Sequence, residues 1–470
     1  MPEPTWVSTL PPLLAIVLAI ATRQVFFSLA AGIWLGWTVL SGWDPLAGVA
    51  GAIDGTVAVL GDAGNARVIL FTFAIGALIA TIEAGGGVRG FVAWIEGKRW
   101  VTSGRRAELL AWVLGILIFI ESNITVLVTG AVGRPLFDRF RSSREKLAYI
   151  CDSTSAPICI LIPLNAWGAY VLGLLGQLEV NDPLGVFVAS IPMNLYPLLS
   201  VLLVGAVIAF RWNIGPMRAA EARTQGGELL WPGAVPLVDP EVLSPPPSTR
   251  IPPRALNMIV PVAALVVAVP AGLLITGGGD IRAGSGSTSV LWAVLFALAT
   301  AWALLLAQRS TTEAELTQTA LRGAGGLMSM ALLLLLALAL ADVARELGTG
   351  AYVAGVAEGL LAPAVLLPLT FLVGAIISFS TGTSWGTFAI MLPIAVPAAA
   401  AMGLPLAPFV AASLSGGIFG DHASPISDTT IISSMAAATD HIDHVRTQLP
   451  YALLAAAAAT AGFAVIGVAL

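Results

Sequence analysis

The chain has 470 residues, of which 57% are hydrophobic and only 10% charged, with a mean hydropathy of +0.91. Soluble domains carry about 25% charged residues, so this composition excludes an ordinary soluble fold and indicates a polytopic membrane protein. The formal net charge is −5 with no basic stripe, which argues against a nucleic-acid partner. The two cysteines, Cys151 and Cys159, lie in or beside apolar segments and read as small apolar residues rather than a disulfide framework.

The N-terminus lacks the basic region of a signal peptide, so the first apolar segment is expected to stay as a membrane helix. Apolar runs predict spans at 5–21, 25–40 and 68–82. A broken region follows at 109–137, then a long interrupted segment at 147–178 and a span near 187–212. Residues 213–254 are polar and rich in proline, with Glu221, Glu228, Asp239 and Glu241, and read as a cytoplasmic linker. The second half gives spans near 255–276, 289–308 and 321–341. A broken region at 363–397, a long segment at 405–439 and a last span at 450–470 complete it.

The halves 1–212 and 255–470 therefore share one order of elements, and their broken regions match. Ser122, Thr125, Thr129 and Pro135 have the spacing of Ser380, Thr383, Thr387 and Pro393. The long segments match more weakly, Asp152-Ser153-Thr154-Ser155-Ala156-Pro157 against Asp421-His422-Ala423-Ser424-Pro425, with the proline slipped by one. Basic residues flank the first broken region on both sides: Lys98, Arg99, Arg105 and Arg106 before it, and Arg134, Arg139, Arg141, Arg144 and Lys146 in its last turn or after. Both of its ends are thus expected in the cytoplasm. No Lys or Arg lies between Ala351 and Val445, so the second region is expected to open outward. The expected fold is an all-α polytopic membrane protein of two inverted-topology repeats. Each has about five transmembrane helices and a re-entrant helical hairpin, with broken helices at the midplane.

The stretch Phe419–Ser434 sets Asp421, His422 and Asp428 among Ser424, Ser427, Thr429, Thr430, Ser433 and Ser434, between apolar runs. A carboxylate at membrane depth costs about 2.5–3.5 kcal/mol or more, which makes it a functional candidate. Carboxylates with neutral oxygens suit a small hard cation, and they also carry protons. The first hairpin tip adds Glu121, Asn123 and Thr125; the second adds Ser380, Thr381, Thr383 and Ser384. Asp152 and Ser155 stand at the first interrupted segment, where Asn165 could line the same cavity. The bland alternatives are hairpin turns, small-residue helix packing and carboxylates satisfied by helix N-termini. Asp440-His441-Ile442-Asp443-His444-Val445-Arg446 resembles a metal cluster in composition, but it lies between spans and reads as a solvated cap. No phosphate loop or haem signature stands out, and no cofactor is expected.

GDHASPISDTTIISSMAA followed by DHIDHVRTQLPYAL resembles the signature of NhaC-type sodium/proton antiporters. STGTSWGTFAIMLPIAVP is similar to that family's second hairpin, and REKLAYICDSTSAPICILIP to its first-half broken helix. The resemblance implies the Ion Transporter superfamily, elevator-type alternating access and a scaffold that often forms a homodimer. It implies ion-site roles for Asp152, Ser155, Thr383, Ser384, Asp421, Ser424, Ser427, Asp428 and Thr429. Where some relatives carry adjacent acids at the first tip, this chain has Glu121-Ser122. Relatives also exchange organic acids and amino acids.

The expected function is secondary exchange of Na⁺ for H⁺ across a prokaryotic cytoplasmic membrane, through one midplane site. The alternative is a Na⁺- or H⁺-coupled carrier of a small organic acid or amino acid, whose carboxylate half-helix N-termini could hold. An intramembrane hydrolase would need a positioned nucleophile and base. His422 near Ser424 is its only hint, and no enzyme activity is expected.

Overall fold

The computed structural model describes residues 5–22, 24–97, 101–119, 122–163, 165–178, 180–236, 251–279, 284–349, 352 and 362–470. After a short 3-10 turn at Trp6–Thr9, the first five helices are α1 (Leu10–Thr22), α2 (Val25–Leu40), α3 (Pro45–Gly61), α4 (Ala63–Ala84) and α5 (Gly87–Gly97). Next come α6 (Gly104–Leu117), α7 (Ser122–Phe140), α8 (Arg144–Ser153), α9 (Ala156–Leu161) and α10 (Ala166–Gln177). Then α11 (Pro183–Ser190), α12 (Leu195–Phe210) and α13 (Gly215–Gln225) close the first part. The rest is α14 (Leu256–Thr276), α15 (Gly286–Ala307), α16 (Glu313–Gly326), α17 (Met328–Glu346), α18 (Pro363–Thr381), α19 (Ser384–Ala401), α20 (Leu406–Ala423), α21 (Asp428–Ala437) and α22 (His441–Ala469).

The protein is a multi-pass, all-helical membrane protein. Among the described residues, six unbroken helices are long and apolar enough to cross a membrane, and three bent pairs raise that to nine. Large apolar side chains face outward, such as Val267 and Ile275 on α14, Phe296 on α15, and Val465 and Val468 on α22. Inside, Asp152, Asp421, His422 and His444 are all buried. Apolar outside with polar groups within is the arrangement a lipid solvent favours.

Small residues set the closest helix contacts. A Cβ on Gly416 would meet the Phe371 carbonyl oxygen at 2.4 Å, and one on Gly420 would meet the Phe379 nitrogen at 2.4 Å. These glycines let α20 lie directly against α18. The start of α8, just past α7, and the start of α18 lie at opposite ends of α22, a single helix about 43 Å long. At one end, Arg144, just past α7, donates from Nη1 to the Ala438 carbonyl at 3.0 Å. At the other, Gly467 sits against Pro363, with the carbonyl oxygen 2.3 Å from where a Cβ would be.

Several elements depart from the expectations. Helix α3 was not expected; its glycines and Asp54 lower its apolar signal, yet Gly51 and Gly55 receive the Trp37 ring of α2. The span expected near 187–212 is broken between Ser190 and Leu195 by a 3-10 turn at Ile191–Met193. The expected span 321–341 straddles two helices, α16 and α17. The linker holds a helix, α13, whose Met217, Ala220, Glu221 and Thr224 are buried. The last helix begins at His441 rather than near Pro450, capped by the Asp440 carboxylate, which accepts from Ile442 and Asp443 nitrogens. A proline inside a helix removes one backbone bond without ending a helix held by its neighbours.

Candidate functional site

The second turn, between α18 and α19, is built on Gly382. Its φ is +68°, a left-handed value that suits glycine, and a Cβ there would lie 2.7 Å from the Ile426 carbonyl oxygen. The turn therefore rests on the break between α20 and α21. Ser424 reinforces the join by donating to the Phe379 carbonyl at 2.8 Å. The first turn is placed similarly. Gly115 of α6 lies so close to Thr154, in the α8–α9 break, that a Cβ would collide with its hydroxyl. Thr125 donates to the Ile118 carbonyl across the turn, and Asn165 donates to the Phe119 carbonyl at 2.8 Å.

Asp421 lies in the last turn of α20, 2% exposed. Its Oδ2 accepts from Ser384 Oγ at 2.7 Å, and its Oδ1 accepts from Ser427 Oγ at 2.5 Å. Ser427 Oγ also lies 3.0 Å from Thr429 Oγ1. The second turn and the α20–α21 break thus converge on one carboxylate.

Asp152 forms a second cluster at the end of α8. Its Oδ2 accepts from Gln448 Nε2 at 2.7 Å and lies 3.3 Å from His444 Nε2, both on α22. Gln448 Nε2 also donates to the His422 carbonyl at 2.5 Å. The His422 ring is held at both nitrogens, by Tyr196 Oη at 2.6 Å and Ser153 Oγ at 2.9 Å. Because Asp421 and His422 are consecutive, α20 links the clusters. Both carboxylates sit at helix C-termini, the negative ends of their dipoles, where an anion is disfavoured and a cation favoured.

The expected residues divide accordingly. Asp421, Ser384, Ser427, Thr429 and Ser424 come together around the second turn. Asp152 and His422 meet through Gln448. Ser155 instead donates to the Asp152 carbonyl, and Thr381 to the Ile377 carbonyl of its own helix. Thr383 and Ser380 are half-buried in the turn. Asp428 is exposed at the start of α21, with Oδ1 accepting from the Thr429 nitrogen at 2.9 Å, a helix-N-terminal role. Asn165 caps α10, its Oδ1 accepting from the Gly168 nitrogen. Glu121 and the Asn123 side chain lie outside the described residues.

One expectation is overturned. His444 is not part of a solvated cap: it is fully buried against Asp152. His441 is half-buried, bonded to Ser434 Oγ at 3.0 Å and to the Pro425 carbonyl at 2.6 Å. His441, His444 and Gln448 are spaced i, i+3 and i+7, which aligns them on one helix face. That stripe was in the sequence, but starting the helix near Pro450 hid it.

A helical membrane protein with buried carboxylates at the breaks of its helices is built as a secondary transporter. Residues 174–468 match the Na⁺/H⁺ antiporter family, and the chain belongs to that family. It is 34% identical over 485 residues to an uncharacterised protein of Haemophilus influenzae, a match covering 98% of this chain and 90% of the relative. Over 105 residues it is 35% identical to the malate-2H⁺/Na⁺-lactate antiporter of Bacillus subtilis, 22% of each chain. The solved YdaH transporter of Alcanivorax borkumensis shares the fold, with a TM-score of 0.57 at 14% identity over 90% of this chain and 88% of that one.

Proposed function

We propose that this transporter exchanges Na⁺ for H⁺ across a prokaryotic cytoplasmic membrane, with Asp421 as the group that takes either ion. The observation that carries the reading is the Asp421 site itself: a buried carboxylate at a helix C-terminus, set among hydroxyls from two broken elements. Oxygen ligands of this kind replace the hydration shell of a small cation. A bare carboxylate is costly in a low-dielectric interior, and either Na⁺ or a proton relieves that cost. Mutual exclusion at one group is sufficient for antiport.

Depth supports the reading. Asp152 is eight residues past Arg144, about 12 Å along α8, and Tyr196 is fourteen residues before Phe210, about 21 Å along α12. Half of a hydrocarbon core is about 15 Å. The Asp152–His422 cluster thus falls near mid-membrane if the arginine-rich ends mark one surface, and Asp421 is the residue before His422. The position of the α7–α8 junction and of the start of α18 at opposite ends of α22 supports two re-entrant hairpins and an inverted repeat. The close packing of α18 on α20 supports their moving together, as an elevator requires.

A second reading is a cation-coupled exchanger of a small carboxylate, favoured by the partial match to an antiporter named for malate and lactate. Proteoliposomes loaded with a pH dye separate the two. Under exchange, Na⁺ gradients alone move lumenal pH, whereas organic acids have no effect. A pH response that requires an organic solute favours the second reading.

A further inference from the structure

We infer that Asp152 belongs to a second cation site, separate from Asp421, in which Asp152 Oδ1 and the Gln448 side-chain carbonyl oxygen are ligands for a Na⁺ ion. The inference rests on the reading of the protein as a Na⁺ exchanger and adds a second bound cation to it. Asp152 is 1% exposed, and its two oxygens are treated unequally. Oδ2 receives Gln448 and faces His444, while Oδ1 is buried with no hydrogen-bond partner. Gln448 Oε1 is buried and unpartnered as well.

The orientation of the Gln448 amide is fixed by its neighbours. Its nitrogen donates to a carboxylate oxygen at 2.7 Å and to a carbonyl oxygen at 2.5 Å. Turned over, the amide would set its own oxygen against two acceptors. The unpartnered atom is therefore an oxygen. An amide and a carboxylate in contact each carry one buried oxygen without a donor. Such orphaned acceptors cost about 1–3 kcal/mol each, more for a charged group.

Water could satisfy their lone pairs, but it would not offset a buried negative charge at the C-terminus of α8; a cation does both. His444 does not replace that cation. Its Nδ1 is buried and unpartnered, so a ring protonated at both nitrogens would bury an N–H with no acceptor. Its Nε2 faces Asp152 Oδ2 at 3.3 Å.

The helices around α8 carry further unpartnered oxygens: Thr129 Oγ1 on α7, and Thr430 Oγ1 and Ser433 Oγ on α21. Ala436 of α21 abuts Gly130 of α7, 2.6 Å from where a Cβ would stand, and Ser433 lies one turn before it. Asp421 differs, since hydroxyl donors occupy both of its oxygens.

The test is the number of Na⁺ ions bound per chain, measured with radioactive sodium on the purified full-length protein. Thermal unfolding in Na⁺-free buffer first identifies the folded variants. The wild type is expected to bind two. Asp421→Asn should bind one. Asp152→Asn and the near-isosteric Gln448→Met should each lose the other ion and also bind one, so either variant suffices if its companion does not fold. A wild-type value of one that is lost in Asp421→Asn and kept in Asp152→Asn overturns the second site and leaves the exchange reading standing; a single ion lost only in Asp152→Asn overturns both the second site and the reading that places exchange at Asp421. Two ions retained in both Asp152→Asn and Gln448→Met also overturns it. No saturable Na⁺ binding in the folded wild type overturns the exchange reading as well.

Discussion

Asp421 holds its position through Ser384 and Ser427, at 2.7 and 2.5 Å, and under the proposed exchange these hydroxyls set both the affinity and the geometry of the site. Hydrogen bonds to charged groups contribute about 1.5–3 kcal/mol. Ser384→Ala is therefore expected to raise the apparent KM for Na⁺ about tenfold or more, because the hydroxyl is lost both as a donor and as a ligand. Flux measurements with an unchanged KM would show that Ser384 only packs. Asp421→Asn keeps the volume but neither exchanges a proton nor carries charge, and should abolish exchange while the protein still inserts. Gly382→Ala tests the backbone of the site. With φ at +68° and the Ile426 carbonyl 2.7 Å from the new Cβ, alanine must displace the break that carries Ser427. Exchange is expected to fall several-fold with folding retained. Wild-type kinetics in Gly382→Ala would mean that turn and break are not coupled.

At the scale of elements, the beginning of α8 is clamped on the side away from the site. Lys146 Nζ lies 3.1 Å from Glu108 on α6 and 3.8 Å from Glu221 on α13. Ser143 donates to Glu221 from both its nitrogen and its hydroxyl, and Arg223 pairs with Glu145 at 2.7 Å. Removing one partner of a buried ion pair costs about 3–5 kcal/mol. Lys146→Met leaves Glu108 and Glu221 uncompensated and should lower the thermal midpoint markedly; a shift of a degree or so would contradict the clamp. None of this was legible in the sequence, where Glu221 read as a loop charge. The residues that recruit it, Ser143 and Lys146, lie far from it in the chain. Gln448, and the burial of His444, were hidden for a different reason: Pro450 suggested a helix start that the Asp440 cap moves upstream. By contrast, Asp152, Asp421, Ser384 and Ser427 stood out, because charge and hydroxyls interrupting apolar runs carry a cost that demands explanation.

For the whole molecule, the broken helices and both hairpin-like pairs were legible because glycine, serine, threonine and proline interrupt long apolar segments at matched spacing. Helices α3 and α13 were not, since one is glycine-rich and the other is polar, and both are fixed by tertiary contact rather than by local pattern. The central claim, that Na⁺ and H⁺ compete for Asp421, makes a prediction about the whole transport cycle. Below the site's pKa the carboxyl binds a proton that Na⁺ must displace, so the apparent KM for Na⁺ should rise as pH falls. With one competing proton the rise approaches about tenfold per pH unit, while the maximal rate changes little. The most direct measurement is calorimetric titration of the purified protein with Na⁺ in two buffers of different ionisation heat, which counts the protons released on binding. The account predicts proton release that grows as pH falls toward the site's pKa and disappears in Asp421→Asn. Saturable Na⁺ binding with no proton released across the active pH range would contradict direct competition.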